Sequence, residues 1–213
     1  MTTEINIDII ITIIITDKRI KSKTTNNNNT YLPVQGGIKA AQKRGMMNNN
    51  AFRNLSYGVY IVSTWDEGRA TGCTANSAIQ ITAEPATIAV SINHQNYTNQ
   101  CIEKTGKFAI SVLGEHSEPS LIGGFGFRSG RDVNKFDGIA HEVKGYMPVV
   151  SDACAYFTCD VIDKMETETH TVFLGKVTDC DVLKQDVPMT YAYYHNVIKG
   201  KSPKAAPTYL PED

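Results

Sequence analysis

A mainly β fold, a closed or nearly closed barrel with peripheral helices, follows from three observations. Strand-like segments recur at short intervals from Gly58 to Val182, and only brief helix signals interrupt them. The two longest alternating segments, Ala153–Lys164 and Thr171–Val182, are separated only by Met165–His170. A chain of 213 residues with 41% hydrophobic content is long enough for one good core, and short for two.

In chain order, the first stretch differs in texture from the rest. Ile9–Thr16 is a β-forming run, followed by basic residues, an Asn-rich TTNNNNT tract and a Gln35-Gly36-Gly37 turn. The apolar run is far shorter than the ~20 residues that span a bilayer, and no secretory pattern surrounds it. Residues 1–46 therefore read as a low-complexity extension, disordered or loosely attached, with an added edge strand as the other option. The functional domain is placed at 47–213. Ala51–Ser56 suits a short helix before a strand at Gly58–Thr64, and Asp66-Glu67-Gly68 forms a tight turn. Arg69–Thr82 and Ala86–Asn93 are the next strands, with Pro85 turning the chain between them. Asn96 opens a helix that runs from Asn99 to Thr105 and stops at Gly106. Lys107–Leu113 alternates as a strand, Pro119–Phe127 is a short helix ending in glycines, and Arg128–Asp137 is a polar loop. A strand near Ala140–Gly145 precedes the long pair, and the Tyr-rich segment from Thr190 reads as a tail crossing a surface.

Composition removes several function classes. A net charge of −1 and a pI near 6.5 leave no basic field for nucleic acid or an anionic membrane. Five cysteines without a CxxC pair fit a reducing compartment, hence a cytoplasmic protein, and not a disulfide framework. The five histidines show no metal-ligand spacing, so a protein-bound metal centre is not expected. What stands out is neutral. Thr74, Asn76 and Ser77 fall in one strand segment, and Ser91, Asn93, Asn96 and Thr98 gather where the next strand meets a helix N-terminus. Such groups suit a phosphate-bearing ligand, since the free N–H groups and dipole of a helix start favour an anion. They serve equally as strand and cap residues.

Five segments in order, GCTANSAIQITAEP, SINHQNYT, KFAISVL, SGRDVNKFDG and HTVFLGKV, resemble the flavin reductase-like, FMN-binding split β-barrel proteins over about residues 50–207. The resemblance is strongest to the flavoredoxin-like group, which includes the flavin domain of high-molecular-weight rubredoxins. It implies an FMN-binding split β-barrel with peripheral helices, and an NAD(P)H-dependent oxidoreductase with tightly bound FMN in a groove of a homodimer. Thr74, Ala75, Asn76 and Ser77 would lie beside the isoalloxazine and ribityl chain. Ser91, Asn93, Asn96 and Thr98 would lie near the ribityl chain or phosphate, with Arg131 and Lys135 as the phosphate's charge partners. His170, at the start of the HTVFLGKV strand, would orient the donor or balance charge on reduced flavin, unless it is a solvated strand end. Trp65, Tyr97, Tyr193 and Tyr194 are candidates to cover the ring. No rubredoxin-type CxxC pair follows Tyr193–Tyr209, so a separate redox partner such as a rubredoxin or flavodiiron protein is expected. No GxGxxG follows a strand, so a pyridine nucleotide would bind without a Rossmann fold. The alternative is an FMN electron carrier without direct NAD(P)H reductase activity.

Overall fold

The computed structural model describes residues 48–202, 206 and 208. The Ile9–Thr16 run, the TTNNNNT tract and the domain boundary placed at residue 46 lie outside them. A 3-10 turn at Asn49–Asn54 leads into nine strands and three helices: β1 Tyr60–Asp66, β2 Arg69–Ala75, β3 Ala78–Ala83, β4 Ala86–Asn93, α1 Tyr97–Thr105, β5 Lys107–Leu113, α2 Pro119–Gly126, β6 His141–Lys144, β7 Met147–Val150, β8 Ala153–Glu166, β9 His170–Val182 and α3 Tyr191–Asn196.

Seven strands form one antiparallel sheet in the order β2-β1-β5-β8-β9-β4-β3, and β6-β7 form a separate hairpin. The sheet's outer strands, β2 and β3, are separated in the chain only by Asn76 and Ser77. Two residues span little more than ~7 Å, so the sheet has to curl until its edges meet. The Ser91 amide donates to the Ser77 carbonyl at 3.0 Å, which carries the β3-β4 pairing up to the point where the chain crosses over. What reads in sequence as one strand, Arg69–Thr82, is thus two, because the chain passes from one edge of the barrel to the other.

Turn chemistry sets the hairpins. Glu67 and Gly68 both take positive φ (50° and 89°) between the paired residues Asp66 and Arg69, a twist that suits a two-residue turn. Gly145 and Tyr146 do the same at φ 51° and 67°, which extends the expected Ala140–Gly145 strand into a hairpin.

The barrel interior gathers Val62, Val90, Ile92, Phe108, Ile110 and Phe173 from β1, β4, β5 and β9, with Ile102 of α1 packed among them. A second cluster on the opposite face of β1 joins Ile61 and Leu113 to Leu121 and Phe125 of α2 and Tyr194 of α3. Each fully buried Phe or Ile contributes about 1.5–3 kcal/mol, whereas an exposed ion pair such as Lys164–Glu103 is screened by water and adds little. Apolar packing, not surface charge, holds the fold. The segment from Thr190 departs from a surface tail: the Thr190 hydroxyl accepts from the Tyr193 amide, and the cap starts α3 so that Tyr194 is buried.

Gly175 of β9 has no room for a side chain, since an added Cβ would lie 2.6 Å from Phe108 and 2.7 Å from Cys159. Gly175→Ala is expected to lower stability by about 1–3 kcal/mol through overpacking, measured as a lower urea midpoint at unchanged slope.

Candidate functional site

Two adjoining clefts open at the barrel seam and share Asn96, Gly126 and Phe127. The first is lined by Thr74, Ala75 and Asn76 from the end of β2, Ser91 and Asn93 from the end of β4, and Asn96. Val59, Ile92, Ile122, Phe127, Tyr191 and Tyr194 line it as well. The cleft therefore combines hydrogen-bonding groups with apolar and aromatic surface, the mixture expected of a site for a flat, polar-edged ring. The Thr74 hydroxyl donates to the Ile122 carbonyl at 2.9 Å, which fixes β2 against α2. The C-terminal segment reaches the same cleft: Lys201 and Ala206 line it, and Asn76 Nδ2 donates to Thr208 Oγ1 at 2.8 Å.

The second cleft, about 140 Å³, is lined by Gly72, Cys73, Tyr97, Thr98 and the loop residues Arg128, Ser129, Gly130 and Lys135. That volume accommodates several waters or one phosphate group. The start of α1 lies in its wall, and the Asn96 side chain makes no capping bond there. The first-turn N–H groups of a helix have no intrahelical acceptors and favour an anion. Gly130 lies close over β2, since an added Cβ would sit 2.4 Å from Thr71 Oγ1. That hydroxyl is buried and has no hydrogen-bond partner among the described residues.

Lys135 supplies the charge. Only 7% of it is exposed, and its ammonium donates to the carbonyls of Gly124 and Phe125 at 2.8 and 2.9 Å, the C-terminal end of α2. An ammonium has three protons, so one is left for a ligand. Burial pushes its pKa down to about 8, with the nearby Arg128 acting in the same direction. A bound anion would relieve that cost. Burial pushes the neighbouring Cys73 thiol up to about 11, although the Thr98 hydroxyl pulls the other way. Cys73 is thus a neutral thiol near pH 7, not a nucleophile.

Of the residues singled out in sequence, Thr74, Ala75, Asn76, Ser91, Asn93, Asn96, Thr98 and Lys135 come together in these two clefts. Ser77 is one step outside, its hydroxyl donating to Asn76 Oδ1 at 2.9 Å. Arg131 lines neither cleft: its guanidinium donates to Gln100 Oε1 at 2.7 Å and lies 5.2 Å from the centre of the Tyr97 ring. His170 lines neither cleft, pairing with Asn93 across β4 and β9, with Nδ1 2.8 Å from Thr169 Oγ1. Trp65 is turned to the hairpin β6-β7, donating to the Tyr146 carbonyl at 2.7 Å. Tyr97 lines the second cleft and Tyr194 the first, while Tyr193 packs on the outer cluster. Ile122, Phe127 and Tyr191 were not legible as site residues. Only the Gly-rich end of α2 and the spacing of Tyr191 and Tyr194 hinted at them.

The family model described as the flavin reductase like domain matches residues 52–201. The chain is 46% identical over 165 residues to a high molecular weight rubredoxin of Moorella thermoacetica, covering 76% of this chain and 72% of that one. It is 39% identical over 166 residues to a ferric-chelate reductase (NAD(P)H) of Archaeoglobus fulgidus, covering 77% and 98%. Among solved structures, the flavin reductase PheA2 superposes with a TM-score of 0.58 at 28% identity, covering 68% of this chain and 93% of that one. The chain belongs to the flavin reductase like family. It is a flavin-linked oxidoreductase of the NAD(P)H-dependent reductase class, and the mainly β barrel is the fold that its sequence predicted.

Cys180 is exposed, whereas Cys73, Cys101, Cys154 and Cys159 are buried. A chromogenic disulfide reagent at pH 7.5 is expected to titrate one thiol rapidly in the native protein and all five in denaturant. A second fast thiol that disappears in Cys73→Ser would show Cys73 to be open and ionised instead.

Proposed function

We propose that this chain holds FMN tightly, with the phosphate in the second cleft and the ring against the aromatic wall of the first. It takes hydride from NAD(P)H and passes electrons to a redox partner of the rubredoxin or flavodiiron kind. The observation that carries the reading is the convergence of a buried Lys135 ammonium, the Thr98 hydroxyl and the uncapped start of α1 on a phosphate-sized space. FAD would need room for a second nucleotide beyond that pocket; FMN ends there.

When bound, the flavin supplies the hydride acceptance and onward electron transfer, and the protein supplies position and electrostatics. Thr74, Asn76, Ser91 and Asn93 would hold its polar edge and ribityl chain, and Ile122, Phe127, Tyr191 and Tyr194 would exclude water from the ring. His170 stands one strand from the cleft, opposite Asn93, and is the candidate for orienting the donor. The work of the chain is cytoplasmic, in line with its free cysteines, and no helix among the described residues is long and apolar enough to cross a membrane. It functions as a homodimer, a reading supported by exposed Ile79, Ile162 and Met165 on β3 and β8, which a second copy would cover.

Two measurements test this. The purified protein is expected to be yellow and to release FMN on heating, and anaerobic stopped-flow mixing with NADH or NADPH should bleach the flavin band on a catalytic timescale. Release of FAD would overturn the phosphate assignment, and absence of bleaching would leave an electron carrier that is not a direct reductase.

A further test concerns pH. Anion binding raises the Lys135 pKa above its free value of about 8, so the complex takes up a proton once the free ammonium begins to deprotonate. FMN affinity should therefore be level just below pH 8 and fall above it, by up to about tenfold per pH unit. Lys135→Arg should abolish the fall, because guanidinium stays charged. Lys135→Ala and Thr98→Ala should each weaken binding by about 1–3 kcal/mol in a fluorescence titration. Unchanged affinity in both would move the phosphate elsewhere.

A further inference from the structure

We infer that Arg69, which lines neither cleft, is a positioning residue for the phosphate loop Arg128–Lys135. The inference rests on the phosphate assignment above. Arg69 opens β2 just after the β1-β2 turn, and one guanidinium nitrogen makes two bonds: to Asp66 Oδ2 at 2.6 Å and to the Gly130 carbonyl at 2.9 Å. The other oxygen of Asp66 accepts from the Tyr97 hydroxyl at 2.9 Å. A single carboxylate thus joins the hairpin to the first residue of α1, and Arg69 carries the connection on to the loop.

Each part has a consequence for the cavity. Asp66 holds the guanidinium in place, and the Arg69 bond keeps its carboxyl below the ordinary Asp range, so the pair is ionised at neutral pH. Gly130 packs directly against Thr71 of β2, and the Arg69 contact fixes its peptide orientation there. Lys135 ties the loop to the end of α2, and Arg131 ties it to α1, bonding Gln100 and covering the Tyr97 ring. The loop is therefore clasped to the hairpin on one side and to α1 on the other, with Arg128, Ser129, Gly130 and Lys135 facing the space between. A loop ordered before the ligand arrives leaves less ordering entropy to be lost on binding. Without Arg69, the phosphate would have to impose that order itself.

A merely structural role would affect all flavins alike, whereas a loop-positioning role acts only through the phosphate. Full-length protein freed of flavin would be titrated with FMN and with riboflavin, which lacks the phosphate, following flavin fluorescence. Wild type should prefer FMN. Arg69→Ala should weaken FMN binding by about tenfold and riboflavin binding by less than about twofold, with Arg69→Lys intermediate because its shorter side chain reaches the two acceptors less well. Should Arg69→Ala fail to fold, Arg69→Lys carries the same comparison. The inference is overturned if the variants bind FMN like wild type, or lose FMN and riboflavin equally. A wild type that does not distinguish the two flavins would instead remove the phosphate assignment itself.

Discussion

Asn76 and Ser77 join the two strands that lie at opposite edges of the sheet, and the sheet curls until those edges meet. Closure at that point has two results. It encloses an interior in which Phe108, Phe173 and Ile92 are fully buried, and it leaves a seam where strand-end polar groups collect because no further strand covers them. Thr74, Asn76, Ser91 and Asn93 line the cleft through their place at the seam. A continuous sheet would have covered these positions, whereas here they border an open cleft.

The phosphate site proposed for the second cleft would let a nearly neutral protein bind an anion. With a net charge of −1 there is no general positive field, and attraction has to be local. It comes from two helix ends set against each other. The carbonyls ending α2 hold the Lys135 ammonium in a buried position, and the start of α1 offers N–H groups beside it. Burying the ammonium is unfavourable, as the depression of its pKa to about 8 records. The cost is tolerable because two carbonyls compensate it. It also has a use, since an arriving phosphate finds a cation that water screens poorly.

Much of this was legible in the chain. Alternation marked the strands, Gly106 ended α1 at φ 64°, and the neutral cluster from Thr74 to Thr98 pointed to an anion-binding helix start. The less legible parts share one property: they depend on which surface a side chain meets. Arg131 and Lys135 sit four residues apart in one polar loop with similar charge, yet Lys135 turns inward to α2 while Arg131 lies on Tyr97. Trp65 reads as a candidate cover for a ring, but its indole N–H had a backbone carbonyl to satisfy at the β6-β7 hairpin. The capped helix at Tyr191 was present in the pattern, since Thr190 followed by Tyr191 and Tyr194 is a cap and one helical face. The Lys- and Pro-rich residues beyond it suggested a tail.

By itself, then, the amino-acid order determined a β-rich domain, its turns and the helix start that favours an anion, because period, glycine, proline and cap preferences act between near neighbours. Only the tertiary structure decided which strands met at the seam, which loop cation was buried and how Arg69 came to hold Gly130. Those outcomes arise from contacts between residues far apart in the chain, such as Arg69 with Gly130 and Asn76 with Thr208, and their geometry exists only once the barrel has closed.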